Sequence, residues 1–325
     1  MRLLFAAALL ALASTLAQAQ AYPVRPVKLV VGFAPGGAAD FVARSFQDSL
    51  SRELGQQVVV ENRAGAGSSI AAEYVAKGAT DGYTFLIASP SSILVNPIIS
   101  PKPGFEPRRD LMPVSRVTSS PLVVAVHAGT GIAALRDMVA YAKKNPGKLN
   151  FGSSGNGSAP HLAGVLFMRT AGVDMVHVPF KGGAPSVQAL LAGDIQLSFA
   201  TPPSVLPHVR TAANPGGRLL ALAVTSKERT SLVPGVPGMA EAGLPEYGIS
   251  FWYGFFLPAG APREAAKKLF DATAAAIAQP AVGKALEREG TEAAGSKSPE
   301  EFAAFIAEDA KLWARLVKDA GVKAD

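Results

Sequence analysis

Two apolar patterns alternate along the chain. One is a short run with almost no polar break, as in Val27–Phe33 and Tyr83–Ala88, which suits a strand buried on both faces of a parallel sheet. The other is a stripe at helical spacing: Val42, Phe46, Leu50 and Leu54, with Arg44, Gln47, Asp48 and Arg52 between them. Pro35-Gly36-Gly37 separates the two, so 27–54 reads as strand, Gly-rich turn, helix. The unit recurs. Gln57–Val60 leads through the Gly/Ser loop at 61–69 into a helix carrying Ile70, Ala71, Tyr74 and Val75. Tyr83–Ala88 ends in Ser89-Pro90-Ser91-Ser92, with a helical stretch from Ile93 to Pro97. In an open parallel α/β sheet these three loops fall at one edge, the carboxyl ends of the strands.

After a Pro-rich surface excursion at 98–111 and strands at Met112–Val117 and Leu122–His127, the scheme starts again. A helix over 132–144 precedes the strand Leu149–Phe151, the loop Gly152–Ser158 and a helix with His161, Leu162, Val165 and Leu166. Met175–Pro179 leads through Phe180-Lys181-Gly182-Gly183 into a helix, and Ile195–Ala200 ends at Thr201-Pro202-Pro203-Ser204. Leu219–Thr225 and Ile249–Leu257 read as further strands, with a loop-like 233–248 between them. The chain then turns helical, from Pro262 and again from Ser298-Pro299-Glu300-Glu301, an N-cap followed by Pro and early acids. Two similar α/β halves suggest two lobes facing across a cleft. The expected division is lobe 1 over 20–125 plus 249–325 and lobe 2 over 126–248.

Composition narrows the class. With 325 residues, 49% hydrophobic and 17% charged, the chain suits one large domain or two of common size. The formal charge of +6 is scattered, without basic runs or an aromatic platform, which argues against nucleic acid. Residues 1–19 read as an export signal: Arg2, an apolar Leu3–Ala13, and Ala17-Gln18-Ala19 as the cleavage pattern. A periplasmic location follows from that reading. The zero cysteine count excludes disulfides and thiolate chemistry.

Catalytic motifs are missing. The Ser153-Ser154 loop is not a G-x-S-x-G elbow, and neither Gly-Lys pair sits in a P-loop. His127, His161, His177 and His208 have no partner at metal-ligand spacing. No metal and no cofactor is expected. What remains is a cleft of backbone N–H groups and small hydroxyls, among them Ser68, Ser69, Ser89, Ser92, Ser153, Ser154, Ser158 and Thr201, the makeup of a binding site. Glycines at a helix N-terminus expose N–H groups to an anion. Asp40 has two roles open to it: stabilising that helix end, or accepting a bond from a ligand.

The stretches 26–40 (PVKLVVGFAPGGAAD), 61–72 (ENRAGAGSSIAA), 151–162 (FGSSGNGSAPHL) and 178–186 (VPFKGGAPS) resemble the Bug family, the TctC-type receptors of tripartite tricarboxylate transporters. The later 222–229, 239–245 and 252–262 fit the same order. The resemblance implies a two-lobe, type II periplasmic-binding-protein (Venus flytrap) fold that closes on a small organic carboxylate, with membrane transporter components as partners and a monomeric state. It implies first-lobe contacts at Phe33, Ala34, Gly37, Asp40, Ser68 and Ser89, and second-lobe contacts at Ser153, Ser154, Gly157, Ser158, His161 and Lys181. Two positions depart from the family pattern. Ala200 stands where an acid is usual, and Phe180 where a Tyr is common. Both changes favour a ligand with an apolar or neutral tail. The competing readings are a secreted α/β hydrolase and a receptor feeding a signalling partner.

Overall fold

A computed structural model describes residues 22–100, 104–211 and 214–321. The expected export signal lies outside those residues. Among them, no helix is long and apolar enough to cross a membrane.

The described residues form two sheets. The first has the order β11 (Glu292–Ala293), β4 (Leu111–Pro121), β10 (Ser250–Pro258), β3 (Thr84–Ala88), β1 (Val27–Val31) and β2 (Val58–Asn62). The second runs β7 (Val176–Pro179), β6 (Asn150–Ser153), β8 (Leu197–Ala200), β5 (Val123–His127) and β9 (Leu219–Val224). In each, three strands are parallel, and their loops meet at one edge as expected. The sheets as wholes are mixed, which corrects the parallel reading. β10 runs antiparallel to β3 and β4, and β5 runs antiparallel to β8 and β9. An apolar run buried on both faces has the same composition in either direction, so pattern alone does not carry strand sense.

The first helix, α1 (Ala38–Leu54), buries its predicted stripe of Val42, Phe46, Leu50 and Leu54. The Phe46 and Phe85 rings both meet Phe255 of β10 edge to face, at 5.7 and 5.3 Å. Gly55, at φ 69°, closes the helix in the left-handed conformation. The last helix, α8 (Pro299–Ala320), begins as its sequence predicts, with Ser298 Oγ accepting from Glu301 N at 3.2 Å. Its Phe302 ring lies against Gly254, where a side chain on β10 would collide with it. Between them lie α2 (Ser69–Ala76), α3 (Leu135–Lys144), α4 (Ala159–Ala171), α5 (Gly183–Ala192), α6 (Arg263–Ile277) and α7 (Pro280–Arg288). Pro280 in the first turn of α7 is a start signal that a reading of one continuous helical tail passes over, whereas the short β11 carries none.

The chain crosses between the sheets twice. It leaves the first at Pro121, which has no N–H for a ladder, and joins the second at Val123. The expected boundary after residue 125 therefore falls inside β5, because 122–127 reads as one unbroken apolar run. The return lies between Val224 and Ser250. Buried Thr225 stitches the two crossings together. It exchanges bonds with Leu122 (N to Thr225 Oγ1 2.7 Å, Thr225 N to O 2.8 Å) and with Ile249 (N to Thr225 O 3.0 Å, Thr225 Oγ1 to O 2.9 Å).

Candidate functional site

The site is built from strand ends. Beyond β1 the chain turns through Phe33–Gly37 into α1, with Gly36 at φ 77°. Asp40 braces this turn. Its Oδ2 accepts from Gly36 N and Arg44 Nε, both at 3.0 Å, and its Oδ1 accepts from Asn62 Nδ2 at 3.0 Å. Burial works against the charged form, but the bonds from Arg44, Gly36 and Asn62 outweigh it and hold the carboxyl below its ordinary value. Of the two roles open to Asp40, the structure fills the helix-end one.

The loop after β2 is strained. Gly65, Ala66, Gly67 and Ser68 have φ values of 140°, 45°, 56° and 79°, and two of the four carry a side chain, each at a cost of roughly 1 kcal/mol or more. Asn96 holds the loop in place. Its Nδ2 donates to Ala66 O (2.8 Å), Gly67 O (3.2 Å) and Ser69 Oγ (2.7 Å). The Ser68 hydroxyl occupies the space a side chain at Gly32 would need. Asn96 follows a π-helical turn, Ser91–Val95, and π-turns recur at functional sites.

In the second lobe the loop 153–158 has a different support. Ser153 Oγ accepts from Gly155 N at 3.1 Å and lies 2.6 Å from His177 Nε2. Gly157 N donates to His161 Nδ1 at 3.1 Å. The His161 and His177 rings stack face to face, 3.8 Å apart and 7° from parallel, with Phe151 beyond His177 at 5.0 Å. Burial, and secondarily the charge His161 would carry, push His177 down to about 3. Ser153 and His177 have the spacing of a nucleophile and its base. Yet Ser153 is 1% exposed and lines no chamber of the cleft, so the pair is a brace.

The lobes touch. Ser204 Oγ, after β8, accepts from Ala38 N at the start of α1 at 3.1 Å. Ser91 Oγ, after β3, accepts from Ala159 N at the start of α4 at 3.1 Å. Each lobe thus supplies a cap for a helix N-terminus of the other. Gly182, at φ 141°, comes so close that a Cβ there would lie 3.2 Å from Ala34 N. The cleft is closed.

Two chambers lie inside. The deep one has a volume of about 10 Å³ and is walled by Gly37–Ala39, Ser158, Pro160, Gly183 and Thr201, with Phe251 and Tyr253 from β10. The first turns of α1, α4 and α5 line it; because Ala38 N, Ala159 N and His161 N are capped by Ser204, Ser91 and Ser158, and Pro160 has no N–H, what these helix ends offer an anion is chiefly their dipoles. Burial raises the Tyr253 phenol, keeping it a neutral donor. The outer chamber has a volume of about 390 Å³ and is walled by the 65–69 loop, Asn96, Ile99, Ser154–Asn156 and Pro179–Lys181. Phe33 and Ser154 line both. Among the described residues, Lys181 is the one charged side chain in either lining.

Of the contact residues the resemblance implies, Phe33, Gly37, Ser68, Ser154, Ser158 and Lys181 line the chambers. Ala34 lies at the lobe contact, and Gly157 packs under Asn96 and Ile99. Asp40, Ser153 and His161 support the loops from behind. Ser89 is fully buried with no partner for its hydroxyl. Ala200 packs in the smaller core on the second sheet and lines neither chamber; the neighbouring Thr201 does. Asn96, Ser91, Ile99, Phe251 and Tyr253 were not foreseen. A polar residue inside the apolar run 93–99 was the available signal for Asn96, and the period of two along β10 was the signal for Phe251 and Tyr253.

Residues 42–322 match the tripartite tricarboxylate transporter family receptor, TctC. The chain belongs to the TctC (Bug) family. Protein BugT of Bordetella pertussis is 36% identical over 306 residues, covering 94% of this receptor and 92% of BugT. The structure of the periplasmic binding protein BugD superposes with a TM-score of 0.87 at 31% identity, over 94% of this chain and all of that one. An R. palustris protein solved with adipate gives 0.87 at 33% identity, covering 93% and 99%. MatC from Rhodopseudomonas palustris, with bound malate, gives 0.83 at 30%, covering 91% and 100%. The receptor thus has the two-lobe periplasmic-binding-protein fold, and its family and fold are those of solute-binding proteins.

Proposed function

We propose that this receptor works outside the cytoplasm, captures a small organic carboxylate between its lobes, and delivers it to the membrane components of a tripartite transporter. The observation that carries the reading is the cleft enclosed between the lobes, a chamber of about 390 Å³ whose inner end is lined by the first turns of α1, α4 and α5 and by Ser91, Ser154, Ser158 and Thr201, with no acidic side chain among the described lining residues. That setting stabilises one carboxylate by N–H and O–H donors and by helix dipoles. Adipate and malate in two neighbours of the same fold support it. Lobe 1 is the part before Pro121 together with the part from Ser250 onward, lobe 2 is the part between, and closure turns on the Thr225-stitched crossings. The receptor acts as a monomer.

The test is a thermal melt of protein that has been unfolded and refolded to strip carried-over ligand, against mono-, di- and tricarboxylates. A ligand at 100 times its Kd adds about 2.7 kcal/mol if it binds only the folded state, a rise of several degrees for a chain this size. A rise with one carboxylate class is expected. No rise with any of them overturns the proposal.

A further inference from the structure

Another cavity lies across β10 from the cleft. Side chains alternate along a strand, so while Tyr253 walls the deep chamber, its neighbour Trp252 points to the opposite face, onto α8. There the indole meets Phe302 and Phe305 edge to face, at 5.5 and 5.8 Å. Ser119 of β4, directly opposite Trp252 in the ladder, shares that face. The cavity beside them has a volume of about 340 Å³, within the range of ligand pockets, roughly 300–1,000 Å³. Phe251, next to the crossing, borders both this cavity and the deep chamber.

The lining is apolar at Trp252, Phe305 and Leu312 and charged at Arg116, Lys227 and Asp309. The acid is engaged within the fold. Asp309 Oδ2 accepts from both indoles, Trp252 Nε1 at 2.7 Å and Trp313 Nε1 at 2.8 Å, and Arg116 favours its charged form. Arg116 Nε donates to Ala294 O at 3.2 Å, and the guanidinium stands 4.7 Å from the centre of the Phe305 ring. Its terminal nitrogens make no hydrogen bond or ion pair among the described residues, and the Lys227 ammonium makes none either. An anion here gains two cations without partners, whereas a cation meets them as like charges.

The walls come from both sides of the crossings. Arg116, Trp252, Phe305 and Asp309 ride on β4, β10 and α8. Ser226 and Lys227 are tied to the turn after β9, with Met239 N donating to Ser226 O at 3.0 Å and Ala240 N to Lys227 O at 3.1 Å. The cavity keeps this shape only while the lobes keep their closed arrangement. An occupant fitted to it therefore favours closure, and by linkage a solute in the cleft favours the occupant.

We infer that this cavity is a second, regulatory site for a small aromatic anion, its anionic group at Arg116 and Lys227 and its ring against Trp252, Phe305 and Leu312, and that its occupation favours the closed receptor. The site stands on its own lining; the coupling rests on the proposed receptor function.

The chain holds two tryptophans, and both bond Asp309, so their emission reads this cavity directly. The probe is the dye anilinonaphthalene sulfonate, titrated into the refolded full chain, with phenylnaphthylamine as the same rings without the sulfonate. Saturable quenching of the tryptophan emission is expected with the sulfonate, at least about tenfold tighter than with the neutral dye. No saturable quenching, or equal affinity for both dyes, overturns the site for an anion. Arg116→Gln and Lys227→Met should each weaken the sulfonate about fivefold, the size expected for loss of one partly screened charge, and leave the neutral dye within about twofold. Equal loss of both dyes, or loss of neither, overturns the placing of the anionic group. A carboxylate that raises the thermal melt should tighten the sulfonate several-fold. If it displaces the dye, the dye sits in the cleft and the second site falls; if it leaves the affinity unchanged, the coupling falls. If no carboxylate raises the melt, the receptor reading fails and takes the coupling with it, while the dye titration still decides the site.

Discussion

The two lobes present similar Gly/Ser loops to the cleft and hold them by different means. In lobe 1 the 65–68 turn is bent through four positive φ values and pinned by one buried amide, Asn96. In lobe 2 the 153–158 loop rests on two stacked imidazoles, His161 and His177. The amide does not titrate, so the first support is indifferent to pH. The second works only while His161 Nδ1 carries no proton, because it accepts from Gly157 N. Loops of like composition can thus differ in what disturbs them, and the difference lies in residues distant in sequence.

Removing the lobe-1 pin should have the largest effect. Asn96→Ala deletes the two N–H donors that reach Ala66 O, Gly67 O and Ser69 Oγ of a strained turn, worth together about 2 kcal/mol at roughly 1 per donor. We expect ligand affinity to fall on the order of 30-fold or more. Hydrogen exchange of the 65–69 amides should rise even without ligand; unchanged exchange there would show that the turn holds its shape unaided.

The lobe-2 support should show itself through pH. Folded His177 stays neutral down to about 3, against an ordinary value of 6.5. Between those values the unfolded chain binds the extra proton, so stability is complete above about 6.5 and declines as pH falls towards 3. Urea unfolding of the wild type should therefore show a lower midpoint at pH 5 than at pH 7. His177→Phe should flatten that slope, and Asn96→Ala should leave it as it is. A slope that survives in His177→Phe would place its origin elsewhere.

The smallest effects should come from the links between the lobes. Ser91→Ala and Ser204→Ala each remove a cap from the opposite lobe's helix, a change of about 1 kcal/mol. Each should weaken binding about fivefold through the closed state, and the double variant should show the two losses adding, since the caps lie on different helices. A gain in affinity from either would mean that the hydroxyl competes with the ligand for the helix end.

Much of this fold was legible along the chain. Strand, Gly-rich turn and helix repeat with the periods of their elements, and Val42, Phe46, Leu50 and Leu54 bury as their spacing predicts. The loops that end the parallel strands do form the cleft. The ranking of residues within those loops was not legible. Ser153 and Ser154 are adjacent and chemically identical, yet one bonds a histidine behind the loop and the other lines both chambers. Ala200 and Thr201 divide in the same way between core and cleft. Which side of a loop faces a ligand depends on the backbone path, and that path is set by glycines at positive φ and by distant partners such as Asn96 and His177.

The sequence by itself determined the two α/β halves, the helix starts that gather at their facing edges, the absence of cysteine chemistry and the family. These depend on local periodicity, capping and motif order, which are properties of neighbouring residues. Only the tertiary structure decided the mixed strand directions, the Thr225 stitch, the exchange of Ser91 and Ser204 caps, and an outer chamber where Lys181 is the one charged side chain among the described lining residues. Each of those depends on groups far apart in the chain being brought within a few ångströms, and that proximity comes from packing two lobes together.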